Sequence, residues 1–196
     1  ARVNDDVVST ASKIRDILGF DLRQREQFRT WAEALRHFVE QVDRIGVLVM
    51  MSGIVGNNTA RTLDPEEFRG FVLSDDFAPL IFINGADTKA AQMFTLAHEL
   101  AHLWLGQSAL SDATARMLPD QKVEYWCNRV AAELLVPLEA VRAAYKEREP
   151  VDEALGRLTR QFKVSSLVIL RRMYDAGFLK RDDFWRLYDS EVKRLR

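Results

Sequence analysis

Two histidines and a glutamate near the middle of the chain have the residue types and the spacing of a metal site. They lie in the run His98-Glu99-Leu100-Ala101-His102, which has the HExxH pattern of zinc-binding helices. Residues four apart share a face of an α-helix, about 6 Å from each other, so both imidazoles can bind one Zn²⁺. Glu99 lies roughly 100° around the helix from His98, beside the metal rather than on it. Glu99 is therefore the predicted general base.

The residues around this motif predict a single helix over residues 88–105, with both histidines at the edge of the protein core. The segment contains no proline or glycine, and Gly106 follows it, as is typical of a helix C-terminus. Its apolar residues recur every three or four positions: Met93, Leu96, Leu100, Leu103 and Trp104. A pair of hydrogen-bonded histidines beside a core is the alternative to a metal site. The third histidine, His37, lies on a polar stretch and is predicted to be exposed.

A zinc site of this kind needs a third protein ligand and leaves the fourth position for water. Because no further histidine follows the motif, a carboxylate must serve. The best candidate is Glu124, on a helix predicted to begin after Asp120 and to stop at Pro137. The spacing from the motif suits a loop and an antiparallel helix packed on the first. Glu133 is the rival ligand on the same helix, and an ordinary solvated charge is the alternative for Glu124.

Other side chains of this second helix also concern the site. Asn128 lies one turn after Glu124, so it is predicted to hydrogen-bond a metal-ligating histidine. We interpret Cys127, the single cysteine, as a buried thiol rather than a ligand. One cysteine allows no internal disulfide, which fits a reducing compartment. Tyr125 and the Gly/Asn-rich segment 53–58 are the candidates for the donor that stabilises an oxyanion.

Ahead of the motif, the sequence predicts two helices followed by a small sheet. The helices cover residues 4–18 and 22–42, and β-type runs follow at 45–51, 68–74 and 80–84. These runs predict a sheet of about three strands directly before the motif helix. We expect the strand at 80–84 to form an edge that binds an extended substrate peptide by strand addition. An interior position for this strand is the alternative.

After Pro137 the chain is predicted to be helical again. The predicted helices are 137–147, 151–161, 165–175 and 181–194. Residues 158–177 resemble a helix-turn-helix in which Ser165 caps the second helix. The region is locally basic through Arg157, Arg160, Lys163, Arg171, Arg172, Lys180 and Arg181. DNA binding is therefore an open alternative, but apolar residues such as Leu167 and Leu170 favour a helical unit that packs on the core.

Composition restricts the class of protein. A chain of 196 residues with 47% hydrophobic residues suits one domain with a small appendage, and its net charge of −1 gives no bulk reason to expect nucleic acid or an anionic membrane. No secretory signal or membrane-spanning run is visible, so we expect a cytoplasmic protein. The predicted units are an N-terminal helical segment at 1–43, a core that contains the candidate zinc site at 44–147 and a C-terminal helical subdomain at 148–196.

Four stretches of the chain resemble the ImmA/IrrE family of zinc metallopeptidases. They are FRGF at 68–71, IFIN at 81–84, FTLAHELAH at 94–102 and EYWCNRVAAELLVP at 124–137, and the resemblance extends over roughly residues 25 to 180. Two residues depart from the family pattern, which usually has Ala at Cys127 and Phe at Val130. These departures alter packing beside Glu124 and leave the ligand set intact.

The resemblance implies an α+β fold, a minimal zincin-like domain in which a small three-stranded sheet packs on the HExxH helix and most of the rest is helical. It implies that His98, His102 and Glu124 bind Zn²⁺ and that Glu99 is the base. The implied function is a zinc-dependent intracellular endopeptidase that cleaves a helix-turn-helix transcriptional repressor as a regulatory switch. The alternative is a catalytically latent regulator that acts by binding a repressor or DNA.

Overall fold

The computed structural model describes residues 1–56, 58–106, 109–112 and 121–195. The fold is α+β, as predicted. The helices of these residues are α1 Val7–Leu18, α2 Leu22–Gln27, α3 Trp31–Arg44, α4 Lys89–Trp104, α5 Gln121–Leu135, α6 Leu138–Ala144, α7 Val151–Phe162, α8 Ser166–Asp175 and α9 Arg181–Leu195. The strands are β1 Leu48–Ser52, β2 Ile54–Val55, β3 Asn58–Thr62, β4 Phe68–Leu73, β5 Leu80–Asn84 and β6 Ala109–Asp112. Within the described ranges, no helix is long and apolar enough to cross a membrane.

The predicted helix at 22–42 is two helices, and the prediction of one continuous helix is wrong. α2 ends at Gln27, and Phe28 has an extended backbone with ψ 134°. α3 then starts from a capping box, in which the Thr30 hydroxyl accepts from the Glu33 N–H and the Glu33 carboxylate accepts from the Thr30 N–H. These two bonds satisfy donors at a helix N-terminus and so favour a new start over a continued helix. His37 on α3 is half-buried against the Phe28 ring rather than exposed.

The three predicted strands are present and belong to one sheet, in the order β1-β5-β4-β6. β1 runs parallel to β5, whereas β4 is antiparallel to β5 and to β6. β5 is therefore an interior strand, and the expectation that residues 80–84 form a substrate-binding edge is wrong. Both sides of β5 are hydrogen-bonded within the sheet, so no backbone groups remain for an added peptide. Ile81 and Ile83 on this strand are fully buried, as an interior position requires.

The outer edge of β1 is protected by a side chain. Asp43, near the end of α3, accepts a hydrogen bond from the Val49 N–H at 3.2 Å. On the same strand the apolar side chains of Leu48 and Met50 are 54% and 48% exposed. β1 therefore has exposed apolar side chains, but the Val49 N–H at its outer edge is already hydrogen-bonded to Asp43.

Polar side chains fix the junction between β5 and the motif helix α4. Asn84 donates to the Phe68 carbonyl at 3.0 Å and accepts from the Ala86 N–H at 3.0 Å. Gln92, which is fully buried on α4, donates to the carbonyls of Gly85 at 2.9 Å and Asp87. These bonds tie the first turn of α4 to the end of the sheet and so set where the motif lies relative to β4.

The core is one hydrophobic cluster to which all three predicted units contribute. Ile14, Leu100 and Leu170, one from each unit, are fully buried members of it. α4 packs on β4 and β5 on one side and on α5 on the other, and α5 also packs on α1. The motif helix is therefore enclosed between the sheet and α5. The unit boundaries after residues 43 and 147 stay a prediction.

Three of the seven basic side chains noted in the C-terminal region form ion pairs within the chain. Ser165 caps α8 by accepting from the Val168 N–H at 3.4 Å, as predicted. Arg157 pairs with Glu149, Arg171 with Asp175, and buried Arg172 with Glu133. The buried apolar residues of α8 are Ile169, Leu170 and Met173. They belong to the same hydrophobic cluster as the residues of α4 and α5.

Substitution of Gln92 tests whether its hydrogen bonds stabilise the junction between β5 and α4. Gln92→Met leaves two carbonyls without a donor, and we expect the free energy of unfolding to fall by about 1–3 kcal/mol, measured by urea denaturation. Gln24→Met, the same change at an exposed helical position, should stay within about 0.5 kcal/mol of the parent. Equal effects of the two substitutions would show that the Gln92 bonds do not hold the junction.

Candidate metal centre

Three side chains from two helices converge on one point. The Nε2 atoms of His98 and His102 on α4 lie 3.1 Å apart. Each also faces Glu124 in the first turn of α5, with His98 Nε2 3.2 Å from Glu124 Oε2 and His102 Nε2 3.1 Å from Glu124 Oε1. Among the residues that the structure describes, these three form the only group with the geometry to hold a metal ion. The sequence predicted all three members of this group.

The spacing of the three ligand atoms fits a zinc ion. Zinc–nitrogen and zinc–oxygen bonds of about 2.0–2.2 Å at tetrahedral angles place neighbouring ligand atoms about 3.3 Å apart. The three separations here are 3.1–3.2 Å. Two imidazoles and one carboxylate are also a donor set that zinc commonly takes in catalytic sites. The ligand types and their spacing therefore agree with the predicted cofactor.

The charges at this point also suit a cation. Hydrogen bonds from His102 and His98 hold the pKa of the Glu124 carboxyl well below its usual range, so that group is an anion. His98 and His102 are 7% and 1% exposed. The two Nε2 atoms lie 3.1 Å apart, and both face the Glu124 carboxylate. A metal ion bound between them would be in reach of both nitrogens and the carboxylate at once.

Glu99 lies beside this group in a fully buried position. The strand β4 passes directly over it at Gly70. A Cβ atom at Gly70 would lie 2.7 Å from Thr95 Cγ2 and 2.8 Å from the Phe82 carbonyl oxygen, and 3.5 Å from Glu99 Oε1. Only glycine therefore lets β4 pack this closely on α4. The sequence signal for this contact is the glycine inside a predicted strand, which is typical of a close backbone approach.

Glu133, the rival ligand, is not at the metal centre. Its carboxylate is buried, pairs with Arg172 and accepts a hydrogen bond from the Leu138 N–H. Among the described residues, the group that could hold a metal ion contains Glu124 and the two histidines and does not contain Glu133.

The other predicted neighbours of the site are placed differently. Asn128 is exposed, and the Nδ1 atoms of His98 and His102 have no hydrogen-bond partner among the described residues. The expected bond from Asn128 to a histidine is therefore not formed in this structure. Cys127 is a free, fully buried thiol, as expected, and burial raises its pKa. Tyr125 is 57% exposed, and Asp120, the expected helix cap, lies outside the described residues.

Comparison with known proteins places the chain in a family. The model of the Peptidase M78 family, described as the IrrE N-terminal-like domain, matches residues 42–174, which is more than half of the chain. This chain belongs to the Peptidase M78 family. The resemblance found in the sequence is confirmed, and the family is one of metallopeptidases. The match begins near the end of α3 and ends within α8, so it includes the sheet, the motif helix and α5.

Two curated relatives share part of this region. The radiation response metalloprotease IrrE of Deinococcus radiodurans is 34% identical over 92 residues, which are 44% of this chain and 28% of the relative. The protein of the same name from Deinococcus deserti is 37% identical over 92 residues, 44% of this chain and 33% of the relative. The aligned region thus spans about a third of the length of these relatives.

Substitution of Gly70 by alanine tests whether β4 and α4 need their close approach. Gly70→Ala should lower the free energy of unfolding by about 1–3 kcal/mol, because β4 and α4 must separate. Gly70→Ala combined with Thr95→Ser removes one of the two clashes and should recover part of that loss. The measurement is chemical denaturation of the metal-free proteins.

Gly156 supplies the control for this substitution. A Cβ there meets only Arg160 Nη1 at 3.5 Å on α7, so Gly156→Ala should stabilise the protein by about 0.4–1 kcal/mol. A Gly70→Ala protein as stable as the parent would show that α4 and β4 do not need the close approach.

Proposed function

We propose that this member of the Peptidase M78 family is a zinc-dependent endopeptidase, with zinc held by His98, His102 and Glu124. The observation that carries the proposal is the convergence of these three ligand atoms at 3.1–3.2 Å, with Glu99 buried beside them. A zinc ion bound there would supply Lewis acidity, which makes water a stronger acid and polarises a carbonyl group.

Glu99 performs the proton transfers in this proposal. It follows His98 directly on α4, so its carboxylate lies next to the ligands without being one of them. It accepts a proton from the attacking water and delivers it to the nitrogen of the leaving amine. The backbone of β4 at Gly70 lies against Glu99, which is fully buried.

The proposed substrate is a helix-turn-helix transcriptional repressor whose cleavage acts as a regulatory switch. The support is the family membership together with the names of the two relatives, which are described as radiation response metalloproteases. We place the reaction in the cytoplasm, where the buried thiol of Cys127 stays reduced. The competing proposal is a latent protein that only binds its repressor.

The first test measures metal content. The purified chain should bind about one equivalent of zinc, and Glu124→Gln should weaken binding by roughly 10-fold or more, because a neutral amide replaces an anionic ligand. Glu139→Gln removes an exposed glutamate on α6 and should leave the zinc content unchanged. Less than about half an equivalent in the parent protein after reconstitution would favour the latent regulator.

The second test separates binding from cleavage. Glu99→Gln should keep zinc at the parent level but reduce cleavage of a helix-turn-helix repressor substrate by roughly 10²–10⁴-fold, because the general base is lost. Gel analysis of a time course measures cleavage, and metal analysis of the same samples supplies the control. Cleavage at the parent rate by Glu99→Gln would remove Glu99 from its role. Binding without cleavage by the parent would support the latent regulator.

A further inference from the structure

Helix α5 carries a buried polar cluster at the end opposite Glu124. Glu133 lies nine residues after Glu124 on α5, and along a helix that separation is about 13 Å. Glu133 is 4% exposed, and its partner Arg172 on α8 is 5% exposed. The proposed reaction uses neither residue.

Contacts from three other helices meet at Glu133. Arg172 Nη2 donates to Glu133 Oε2, and Arg172 Nε donates to the Val136 carbonyl at 2.8 Å. Arg15 on α1 donates to the Glu133 carbonyl at 2.7 Å, and Leu138 at the start of α6 donates its N–H to Glu133 Oε2 at 3.4 Å. The C-terminal end of α5 is therefore bound to α1, α6 and α8 by directional bonds.

Directional bonds matter here because the metal centre tolerates little movement of α5. The carboxylate of Glu124 lies about 6 Å from the helix axis, so a rotation of α5 by about 10° displaces it by about 1 Å. Metal–ligand distances vary by only about 0.2 Å around their preferred values. Near Glu124, α5 is held by apolar packing and by Trp126, which is buried and donates its Nε1–H to the Asp5 carbonyl at 3.0 Å. At the far end of α5, the Glu133–Arg172 pair supplies the corresponding directional restraint.

A buried ion pair is a poor source of stability but a good source of specific geometry. The cost of removing both charges from water offsets most of their attraction, and apolar residues of similar size often stabilise a core equally well. The forked guanidinium of Arg172 reaches a carboxylate and a carbonyl of the same helix end at once. Arg172 can make both hydrogen bonds only when α5 has one particular rotation and one particular axial position.

We propose that Glu133 and Arg172 are positioning residues for the metal centre. Their pair fixes the rotation and axial position of α5 and so holds the Glu124 carboxylate against both histidines. The inference rests on the proposed zinc site. It makes α8, the second helix of the helix-turn-helix-like region, a structural support of the third metal ligand.

The test compares two double variants of the full chain. Glu133→Gln combined with Arg172→Met removes both buried charges of the pair together. Asp175, whose carboxylate lies 3.6 Å from Arg172 Nη1, keeps its ion pair with Arg171. Its control is Glu149→Gln combined with Arg157→Met. Arg157 pairs with Glu149 at 2.9 Å and donates to the Ala144 carbonyl at the end of α6 at 3.0 Å, which is the same pattern away from α5.

The measurements are zinc affinity, by competition with a chelator, and the melting temperature with and without zinc. The Glu133/Arg172 variant should bind zinc about 10-fold more weakly, with a smaller zinc-induced rise in melting temperature. The Glu149/Arg157 variant should bind zinc within about twofold of the parent. Arg172→Lys keeps the charge but lacks the fork, so it should also weaken zinc binding, and it decides the outcome if the double variant does not fold.

Two results would overturn the inference in different ways. In the first, the parent, the Glu133/Arg172 variant and Arg172→Lys all bind zinc equally well, and the melting temperatures of the variants fall by the same amount with and without zinc. The pair then has a structural role only. If the parent binds no zinc, the proposed function fails and this inference fails with it.

Discussion

The central constraint of the structure is the convergence of three side chains from two helices, which could hold a metal ion and whose nearest polar atoms lie about 3 Å apart. Two of them come from one face of α4, so helix geometry alone sets their separation. The third, from Glu124, requires α4 and α5 to pack at one distance and one rotation. α4 is enclosed between the sheet and α5, β4 approaches it closely at Gly70, and the buried Glu133–Arg172 pair joins α5 to α8.

The parts of the site that the sequence predicted are those with local geometry. The spacing of His98 and His102 becomes a shared face as soon as a helix forms, and the uninterrupted apolar pattern indicated that helix. Glu124 could be proposed because a carboxylate was needed and the next helix had to pack on the first. The choice between Glu124 and Glu133 needed the structure, since it depends on where Arg172, thirty-nine residues further along the chain, meets α5.

The predictions that failed concern pairing and exposure, which local patterns do not determine. β5 is an interior strand because β1 pairs with it. In the sequence, β2, β3 and β4 separate these two strands, so a local pattern does not reveal the pairing. Glu124 itself is only partly buried, with 28% of its side chain exposed, and Asn128 one turn later lies in solvent. The spacing of Thr30 and Glu33 is typical of a capping box and indicates a new helix at α3. The apolar periodicity continues through this point, however, and favours one continuous helix.

The contact between Asp43 and Val49 has a consequence for how the chain behaves at high concentration. An edge strand with apolar side chains and free backbone donors can pair with the edge of another molecule and start aggregation. On β1 the carboxylate of Asp43 occupies the Val49 N–H and adds a negative charge at the same place. An incoming strand would have to displace that bond and bury the charge, so Asp43 protects the sheet against β-type self-association while leaving the fold unchanged.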